Sequence, residues 1–472
     1  MNIHNFDELI EFSTSDTGKK ARQLLLDSFK IAVDAVDPYK IVFNNLSIDY
    51  KNAVLTVMDD EYRIKERKIW VIGAGKAVGH MTEALEAVLK GLDLRGVICV
   101  PIGVKQSLIL RQIECLECTH PLPSEENIQN TKRVMKLVDK IDPDDLVIAL
   151  ISGGGSSIWS APILPITIDD LISLNKLLIH SGMTIHEINT IRKHVSLIKG
   201  GRLSEIISAE IIVLVLSDVI GDNLEIVASG PFYRDPSTFQ DAKNILIHFK
   251  LWNDSLPSSI RFVIDQGIEG VVSETPKQSN QVFKKVHHYI LGSNELACKA
   301  ILKHAKKIGI KTVYDPILKN GDARELGRFY ARNHLNWKKD QKHPLLLISG
   351  GEPTVEVRGS GIGGRNQEVA GAYLQFIMTS QGDFLRDVSF LAVGTDGIDG
   401  NSQYAGTLID ETTVVITKQK NLDLLTYQKN NDLSSFFEFI GGSLVFTGPT
   451  GTNVMDLHLT LLNSSQISLS KI

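Results

Sequence analysis

Helical and strand-like patterns of apolar residues alternate along most of the chain. Residues 22–36 carry apolar side chains at helical spacing, which predicts an amphipathic helix near the N-terminus. Short apolar runs of strand length then follow at 68–72, 97–100, 146–151 and 211–216. Continuous apolar strands that alternate with helices are typical of a mostly parallel sheet with helices on both faces. We therefore predict a first α/β domain, Rossmann-like, over residues 1–264.

A polar stretch at residues 265–284 interrupts this pattern and is our candidate linker. A second series of strand candidates follows it, at 288–291, 311–314, 345–348, 390–393, 408–409 and 444–447. This series predicts a smaller α/β domain over residues 285–472. Two such domains lead us to expect a cleft between them.

Composition and charge exclude several classes of protein. The 472 residues are 43% hydrophobic and 22% charged, which is ordinary for a globular protein. The net charge of −5 provides no basic field for nucleic acid or for an anionic membrane. No apolar run approaches the roughly 18 residues of a membrane span, and the acidic N-terminus does not resemble a secretory signal. We expect a soluble, cytoplasmic protein whose four cysteines form no disulfide framework.

Four glycine-rich loops are the most informative feature, since three of them directly follow predicted strands. They are Gly73-Ala74-Gly75-Lys76, the Ser152–Ser157 loop, Ser349-Gly350-Gly351-Glu352, and the 359–368 loop that contains Arg365. Backbone N–H groups in such loops can bind phosphate oxygens without obstruction by side chains. A plain tight turn is the alternative for any single loop, but four in one chain favour an anion-binding function.

The first loop is compatible with two nucleotide chemistries. A dinucleotide site would need an acidic residue at the tip of the next strand, but residues 96–101 contain none. Lys76 instead places a cation at the start of a predicted helix, where it can meet a phosphoryl group. No Walker-type sequence occurs, so a P-loop ATPase is excluded.

Residues 187–202 form the densest polar cluster. If they are helical, Asn189, Arg192, Ser196 and Lys199 lie on one face, and such a face suits a carboxylate or a phosphate. A solvated basic face is the alternative. We leave His194 unassigned, and for His120 both a structural and a functional role stay open.

Two acidic loops also follow predicted strands, one with Asp218 and Asp222 and the other with Asp396 and Asp399. Carboxylates at strand ends can hold Mg²⁺ or orient a substrate hydroxyl, although Asp-Gly pairs often mark only turns. Near the C-terminus, the 447–456 loop of small residues is predicted to run into a helix and to line a phosphate or sugar site.

Taken in order, these segments resemble the glycerate 2-kinase family with an N-terminal glycerate-kinase domain and a C-terminal MOFRL domain. The resemblance spans about residues 22–462. It rests on the four glycine loops, on His120-Pro121-Leu122-Pro123, the 187–202 block, Ser217-Asp218, the 228–231 segment, the 395–400 loop and the 448–453 loop. It implies ATP- and Mg²⁺-dependent phosphorylation of D-glycerate at the 2-hydroxyl, with the active site in the cleft between the two domains. The family's functional lysine and arginine fall on Lys76 and Arg365.

We expect Lys76 and Arg365 to flank the transferring phosphoryl group, with Asp218 as a third catalytic residue. Asp218 and Asp222 are the candidate Mg²⁺ ligands. The residues expected to bind substrate or nucleotide are Gly75, Ser152, Gly153, Gly154, Gly155, Ser156, Asn189, Arg192, Lys199, Glu352, Asn366, Asp396, Thr450 and Asn453. A nicotinamide-dependent hydroxypyruvate reductase and a non-catalytic hydroxy-acid sensor remain alternatives, and the sequence leaves a homodimer open.

Overall fold

The computed structural model describes residues 1–340, 343–380 and 387–463. The chain divides into two compact units, one formed by Pro38–Leu291 and the other by Met1–Asp37 together with Gly292–Ile472. The end of the predicted second domain, residues 464–472, lies outside the described residues.

Strands and helices are numbered in chain order. The strands are β1 (Leu46–Asp49), β2 (Val54–Val57), β3 (Asp60–Arg63), β4 (Ile69–Ala74), β5 (Leu94–Pro101), β6 (Glu114–Cys118), β7 (Leu146–Ser152), β8 (Glu210–Leu216), β9 (Val286–Gly292), β10 (Lys311–Tyr314), β11 (Leu345–Gly351), β12 (Val388–Gly394), β13 (Gly406–Ile409), β14 (Leu444–Val445) and β15 (Asp456–Leu462). The helices are α1 (Phe6–Glu11), α2 (Asp16–Ala35), α3 (Pro38–Asn45), α4 (Val78–Val88), α5 (Glu125–Val138), α6 (Gly155–Ile158), α7 (Ile168–Ile179), α8 (Ile185–His194), α9 (Arg202–Ile206), α10 (Phe239–His248), α11 (Ser258–Ile268), α12 (Asn294–Lys307), α13 (Ala323–Asp340), α14 (Arg365–Thr379), α15 (Glu411–Gln419), α16 (Leu424–Lys429) and α17 (Leu433–Ile440). None of the described helices is both long and apolar enough to cross a membrane.

A six-stranded sheet forms the core of the unit at 38–291. Its strand order is β6-β5-β4-β7-β8-β9, and the pairings of β4 with β5, β4 with β7, β5 with β6 and β7 with β8 are parallel. Strands β4 and β7 are buried along their whole length, which explains why they read as continuous apolar runs. This sheet confirms the predicted Rossmann-like α/β class.

The strand order reverses between β4 and β7, because the chain first proceeds outward to β5 and β6 and then returns to the other side of β4. In open α/β sheets, ligands bind in the crevice at the carboxyl ends of the strands beside such a reversal. The loops that leave β4 and β7 are the first two glycine loops. The topology therefore places both of them where a ligand is expected.

Strand β9 confirms the strand predicted at 288–291 but lies in the first sheet, as its edge strand beside β8. Tyr289 in β9 donates a hydrogen bond of 2.6 Å to Asp60, and its hydroxyl also contacts that of Tyr62. These contacts fix β9 to the three-stranded antiparallel sheet of β1, β2 and β3, an element that the sequence analysis did not predict.

The second unit is built on a mixed six-stranded sheet of order β10-β11-β15-β12-β13-β14. Only β10 and β11 pair in parallel, whereas β15 runs antiparallel to both β11 and β12. As a result, the first residue of β15 lies at the same sheet edge as the ends of β11 and β12: Asp456 is opposite both Gly351 and Gly394.

The first 37 residues pack with this second unit, whereas the sequence analysis assigned them to the first domain. One contact that holds them there is a buried ion pair, in which Nε of Arg22 donates to Asp410 at 2.6 Å. Nη1 of Arg22 also donates to the carbonyls of Leu9 and Gly442. One polar side chain in α2 thus ties the N-terminal helices to the C-terminal part of the chain, and such long-range pairing leaves no local pattern in the sequence.

Candidate active site

The Gly75-Lys76 turn lies directly against the loop that follows β7. The N–H of Lys76 donates to the carbonyl of Gly153 at 2.9 Å, and the N–H of Ala77 donates to Oγ of Ser152 at 3.1 Å. Gly75 has a φ of +149°, and a Cβ at this position would lie 2.1 Å from Oγ of Ser152. Only glycine permits such a close approach of Gly75 to Ser152, so the two loops are in direct contact and form one surface.

Gly154 forms the centre of this surface. It has a φ of +84°, and its Cβ position lies 3.0 Å from the ring of His120 and 3.4 Å from Cγ of Lys76. The N–H groups of Gly154 and Gly155 have no acceptor in the described part of the chain. These amides, beside an exposed lysine that precedes α4, can bind the oxygens of a phosphoryl group.

His120 completes this side of the site, although the sequence analysis left its role open. Burial, followed by the positive charge of Lys76, lowers the pKa of His120 to about 4. Its imidazole is therefore neutral at physiological pH and adds no second positive charge next to Lys76.

Asp218 follows β8 and reaches the same surface: a Cβ on Gly153 would lie 1.9 Å from its Oδ2. Asp222 sits farther along, in the turn Ile220–Asp222, with a left-handed backbone at φ +52°. No group of three or more His, Cys, Asp or Glu side chains among the described residues is arranged to hold a metal ion. Mg²⁺ that binds together with nucleotide phosphates uses only one or two carboxylates, so Asp218 fits such an ion.

The predicted helical face at 189–199 is wrong in part. Helix α8 ends at His194, so Ser196 and Lys199 lie beyond it, in a segment where Ser196 pairs with Pro162 in an isolated β-bridge. Nevertheless, Arg192, Ser196 and Lys199 line one cavity of about 260 Å³. The fold brings these side chains together by a route other than helical spacing.

Asn189 does not line this cavity but contacts one of its lining residues, Ser156, through Ser229. Its Oδ1 accepts a hydrogen bond of 2.9 Å from Ser229, whose hydroxyl also lies 2.6 Å from that of Ser156. The sequence analysis named Ser229 only within a motif and gave it no role. Its left-handed backbone, φ +60°, next to Ala228 at φ +51°, marks a constrained turn that composition does not reveal.

The remaining predicted site residues lie in the second unit, around the first turn of α14. Nε and Nη2 of Arg365 donate to both oxygens of Asp456, at 2.6 and 2.9 Å, and Nη1 donates to Glu352 at 3.2 Å. Burial lowers the pKa of the Arg365 guanidinium, but the nearby carboxylate of Asp456 raises it by more, so the net shift of this pKa is upward. The arginine is therefore permanently charged and fixed in orientation, with 29% of its side chain exposed.

Two buried aspartates near Arg365 were not among the predicted site residues. Asp456 is fully buried, and burial raises its pKa while Arg365 opposes that shift. Asp399 accepts the backbone N–H groups of Asn366 and Gln367, both at 2.9 Å, and burial raises its pKa to about 7 despite these bonds. Asp399 thus holds the start of α14 in place, and a signal for it was present, since it lies in the 395–400 loop.

Asn366 and the three other predicted residues occupy the same sheet edge. Oδ1 of Asn366 is buried and has no hydrogen-bond partner among the described residues. The N–H of Thr450 donates to the carbonyl of Asp396 at 3.1 Å, and Oδ1 of Asn453 accepts from the N–H of Met455 at 3.0 Å. The first of these two contacts brings Asp396 and Thr450 together.

The helix predicted after the 447–456 loop is wrong, because this loop runs into strand β15. Leu457, Leu459 and Leu461 alternate with polar residues, which is the period of a strand. The polar members of the strand are buried as well, since β15 is an interior strand of its sheet.

Two family models match the chain. A model described as a domain of unknown function, DUF4147, matches residues 24–265. The model described as the MOFRL family matches residues 345–456.

Three relatives are similar to the chain over nearly its whole length. The glycerate 2-kinase of Pyrococcus horikoshii is 36% identical over 92% of this chain and 96% of its own length. The crystal structure of a glycerate kinase from Thermotoga maritima has a TM-score of 0.78 and 33% sequence identity, and covers 93% of this chain and 99% of its own. A protein of Agrobacterium vitis, provisionally named a hydroxypyruvate reductase, is 34% identical over 94% of each chain.

Proposed function

Because the chain belongs to the glycerate kinase family, we propose that it transfers the γ-phosphoryl group of ATP to the 2-hydroxyl of D-glycerate, giving 2-phospho-D-glycerate and ADP. The observation that best supports this reaction is the surface formed by Lys76, Gly154 and Gly155 at the reversal of strand order. It combines one lysine with backbone amides that lack acceptors, which suits a phosphoryl group. We also propose that the enzyme is cytoplasmic, consistent with four buried cysteines that are all unpaired.

Lys76 and the amides around Gly154 contribute by orientation and charge. Phosphoryl transfer needs little covalent participation from the protein, since its barrier falls mainly through alignment and electrostatic stabilisation. N–H donors that the backbone holds in place need no reorganisation as negative charge moves onto the transferring oxygens, and the ammonium group of Lys76 adds a positive charge beside them. Lys76 and these amides therefore lower the barrier by their position alone.

Arg365 is the second cation of the proposed reaction. Asp456 holds its Nε and Nη2 in a bidentate pair, so the guanidinium has one orientation before substrate binds. Nη1 donates one N–H to Glu352, so Nη1 and Nη2 each keep one N–H, and these two form the fork that we assign to phosphoryl oxygens. We assign Arg365 to the transferring group and Asp456 to the positioning of Arg365.

Asp218 is the residue that would hold Mg²⁺ in this site, and Asp222 is the second candidate. When bound, Mg²⁺ would neutralise part of the negative charge of the nucleotide phosphates. Asp218 also lies close enough to the glycine loop to accept a hydrogen bond from the substrate hydroxyl before transfer. We propose that Asp218 has one of these two roles, and Asp218→Asn separates them. If Asp218 holds Mg²⁺, the activity of the variant should depend on a raised Mg²⁺ concentration; if Asp218 accepts the hydrogen bond of the hydroxyl, it should not.

The competing activity is reduction of hydroxypyruvate with a nicotinamide cofactor. The strand after the first glycine loop, β5, ends without the acidic residue that such a cofactor needs for its ribose. The purified protein should therefore cause no change in absorbance at 340 nm with hydroxypyruvate and NADH or NADPH. A steady decrease with either cofactor would favour the reductase.

The proposed function is tested by substitution of each cation. Lys76→Ala and Arg365→Ala should each lower kcat by about 10²-fold or more, as removal of a transition-state donor commonly does. Lys90→Ala and Arg358→Ala are matched controls, since both residues are exposed and lie outside the site. Near-normal kcat in a folded Arg365→Ala protein would remove Arg365 from the chemistry, and binding of D-glycerate without turnover by the wild type would favour the sensor alternative.

A further inference from the structure

Two cations without counter-ions share the cavity behind the glycine loop. Arg192 and Lys199 both line it, and neither forms a salt bridge with any residue that the structure describes. Lys199 is almost completely buried, at 7% exposure, and the charge of Arg192 is close enough to affect it. Buried cations are normally paired, so this arrangement lacks an anion.

Both side chains retain unused hydrogen-bond donors. Arg192 donates from Nε to Asn175 at 2.9 Å, and no described residue accepts from its two Nη groups. Lys199 donates to the carbonyls of Ser156 and Trp159 at 2.7 and 2.8 Å, which leaves one of its three N–H bonds. A planar guanidinium with two free amino groups is the preferred partner of a carboxylate.

The rest of the cavity does not suit a triphosphate. Its other walls are largely apolar and include Leu171, Ile179 and Val195. A nucleotide triphosphate carries several charges and needs many donors. Besides Arg192 and Lys199 the lining offers few, because the hydroxyls of Ser157 and Ser160 already donate to the carbonyls of Gly154 and Ser157. The cavity volume of about 260 Å³ is just below the roughly 300–1,000 Å³ of clefts that hold drug-sized ligands. Its size and lining match a small organic acid with a single carboxylate.

We propose that this cavity binds the acceptor substrate, a small 2-hydroxy monocarboxylate, with its carboxylate on Arg192 and Lys199, and that the nucleotide binds elsewhere. This inference rests on the proposed kinase function and decides which ligand the cavity takes. The position of the hydroxyl end follows from the fold: Gly154 and His120 line the same cavity, and both lie against Lys76. A carboxylate held at Arg192 therefore leaves the hydroxyl on the side where the proposed phosphoryl transfer occurs.

The kinetic test uses Arg192→Met, a variant that removes a charge without breaking an ion pair. KM for D-glycerate should rise at least 30-fold, whereas KM for ATP should change by less than a factor of two. Arg95→Met is the control, since Arg95 is exposed and should affect neither constant. Glycerol, which lacks the carboxylate, should be at least 10³-fold poorer than D-glycerate in kcat/KM. A rise in KM for ATP with an unchanged KM for D-glycerate would overturn the proposal.

A second readout, thermal stability, does not depend on turnover. D-glycerate should raise the Tm of the wild type, because a ligand that binds only the folded state stabilises it. Arg192→Met should lose that shift and keep the shift caused by ATP with Mg²⁺. Without ligand, its Tm should equal or exceed that of the wild type, since the unpaired cation is gone. An unchanged D-glycerate shift in Arg192→Met would refute the assignment.

These outcomes separate the two proposals. If the wild type forms no phosphoglycerate, the proposed function fails, whatever Arg192→Met does. If the wild type forms phosphoglycerate and only the ATP parameters respond to Arg192→Met, the function stands and the cavity assignment fails.

Discussion

Substitution of Gly154 by alanine separates backbone strain from damage to the site. The new Cβ would lie 3.0 Å from the His120 ring and 3.4 Å from Cγ of Lys76, and the backbone would keep a φ of +84°. Gly182 is the matched control: its φ is +76°, but no described atom lies within 4 Å of its Cβ position. Both variants therefore acquire the same backbone strain, and only Gly154→Ala also displaces the site residues.

The magnitudes follow from these distances. A left-handed conformation costs an L-residue about 1–2 kcal/mol, which corresponds to a decrease in Tm of about 2–8 °C for a unit of this size. Gly154→Ala additionally shifts His120 or Lys76 by a few tenths of an ångström. Because a displacement of about 1 Å can cost 10²-fold in rate, we expect a loss of about tenfold in kcat/KM.

The assay combines a thermal melt with steady-state kinetics on both variants. The two Tm values should fall by similar amounts, whereas kcat/KM should fall only in Gly154→Ala. Equal catalytic losses in both variants, or full activity in Gly154→Ala, would refute the view that Gly154 sets the position of Lys76.

Three further predictions concern charge. Arg22→Met should destabilise the protein by about 3–5 kcal/mol because it leaves the carboxylate of Asp410 buried and unpaired; Arg328→Met, which breaks an exposed pair, should cost less than about 1 kcal/mol in the same urea titration. Burial and Arg192 lower the pKa of Lys199 to about 7, so its charge is present below that pH and is lost above it; KM for D-glycerate should rise by up to about tenfold per pH unit above pH 7, and Lys199→Met should abolish this dependence. Arg365→Lys should not restore the kcat of the wild type, because an ammonium group cannot form the planar fork, and kcat equal to that of the wild type would contradict this role.

Local patterns predicted most of the elements but few of the contacts between them. The strand at Lys311–Tyr314 was predicted with its observed bounds, because β-branched and aromatic residues favour a strand there and Asp315-Pro316 ends it. The helix expected after residue 456 was wrong. The leucines of β15 alternate with polar residues, which is the period of a strand, and the prediction did not use this alternation.

The candidate site shows the same limit. Lys76 and Arg365 could be named from their motifs, but the pairing of Arg365 with Asp456 joins residues 91 positions apart and has no local signature. Arg192 and Lys199 were grouped for the wrong reason, since helix α8 ends between them, although they do share one cavity. Which residues meet across long separations is decided by packing, and a single sequence does not encode that in any short window.

Phosphorus NMR of the reaction product tests the central claim most directly. Purified protein incubated with ATP, Mg²⁺ and D-glycerate should give ADP and a phosphomonoester resonance that matches 2-phospho-D-glycerate, and Arg365→Ala should give almost none in the same time. A resonance of 3-phosphoglycerate, or ATP left unconsumed by the wild type, would contradict the account.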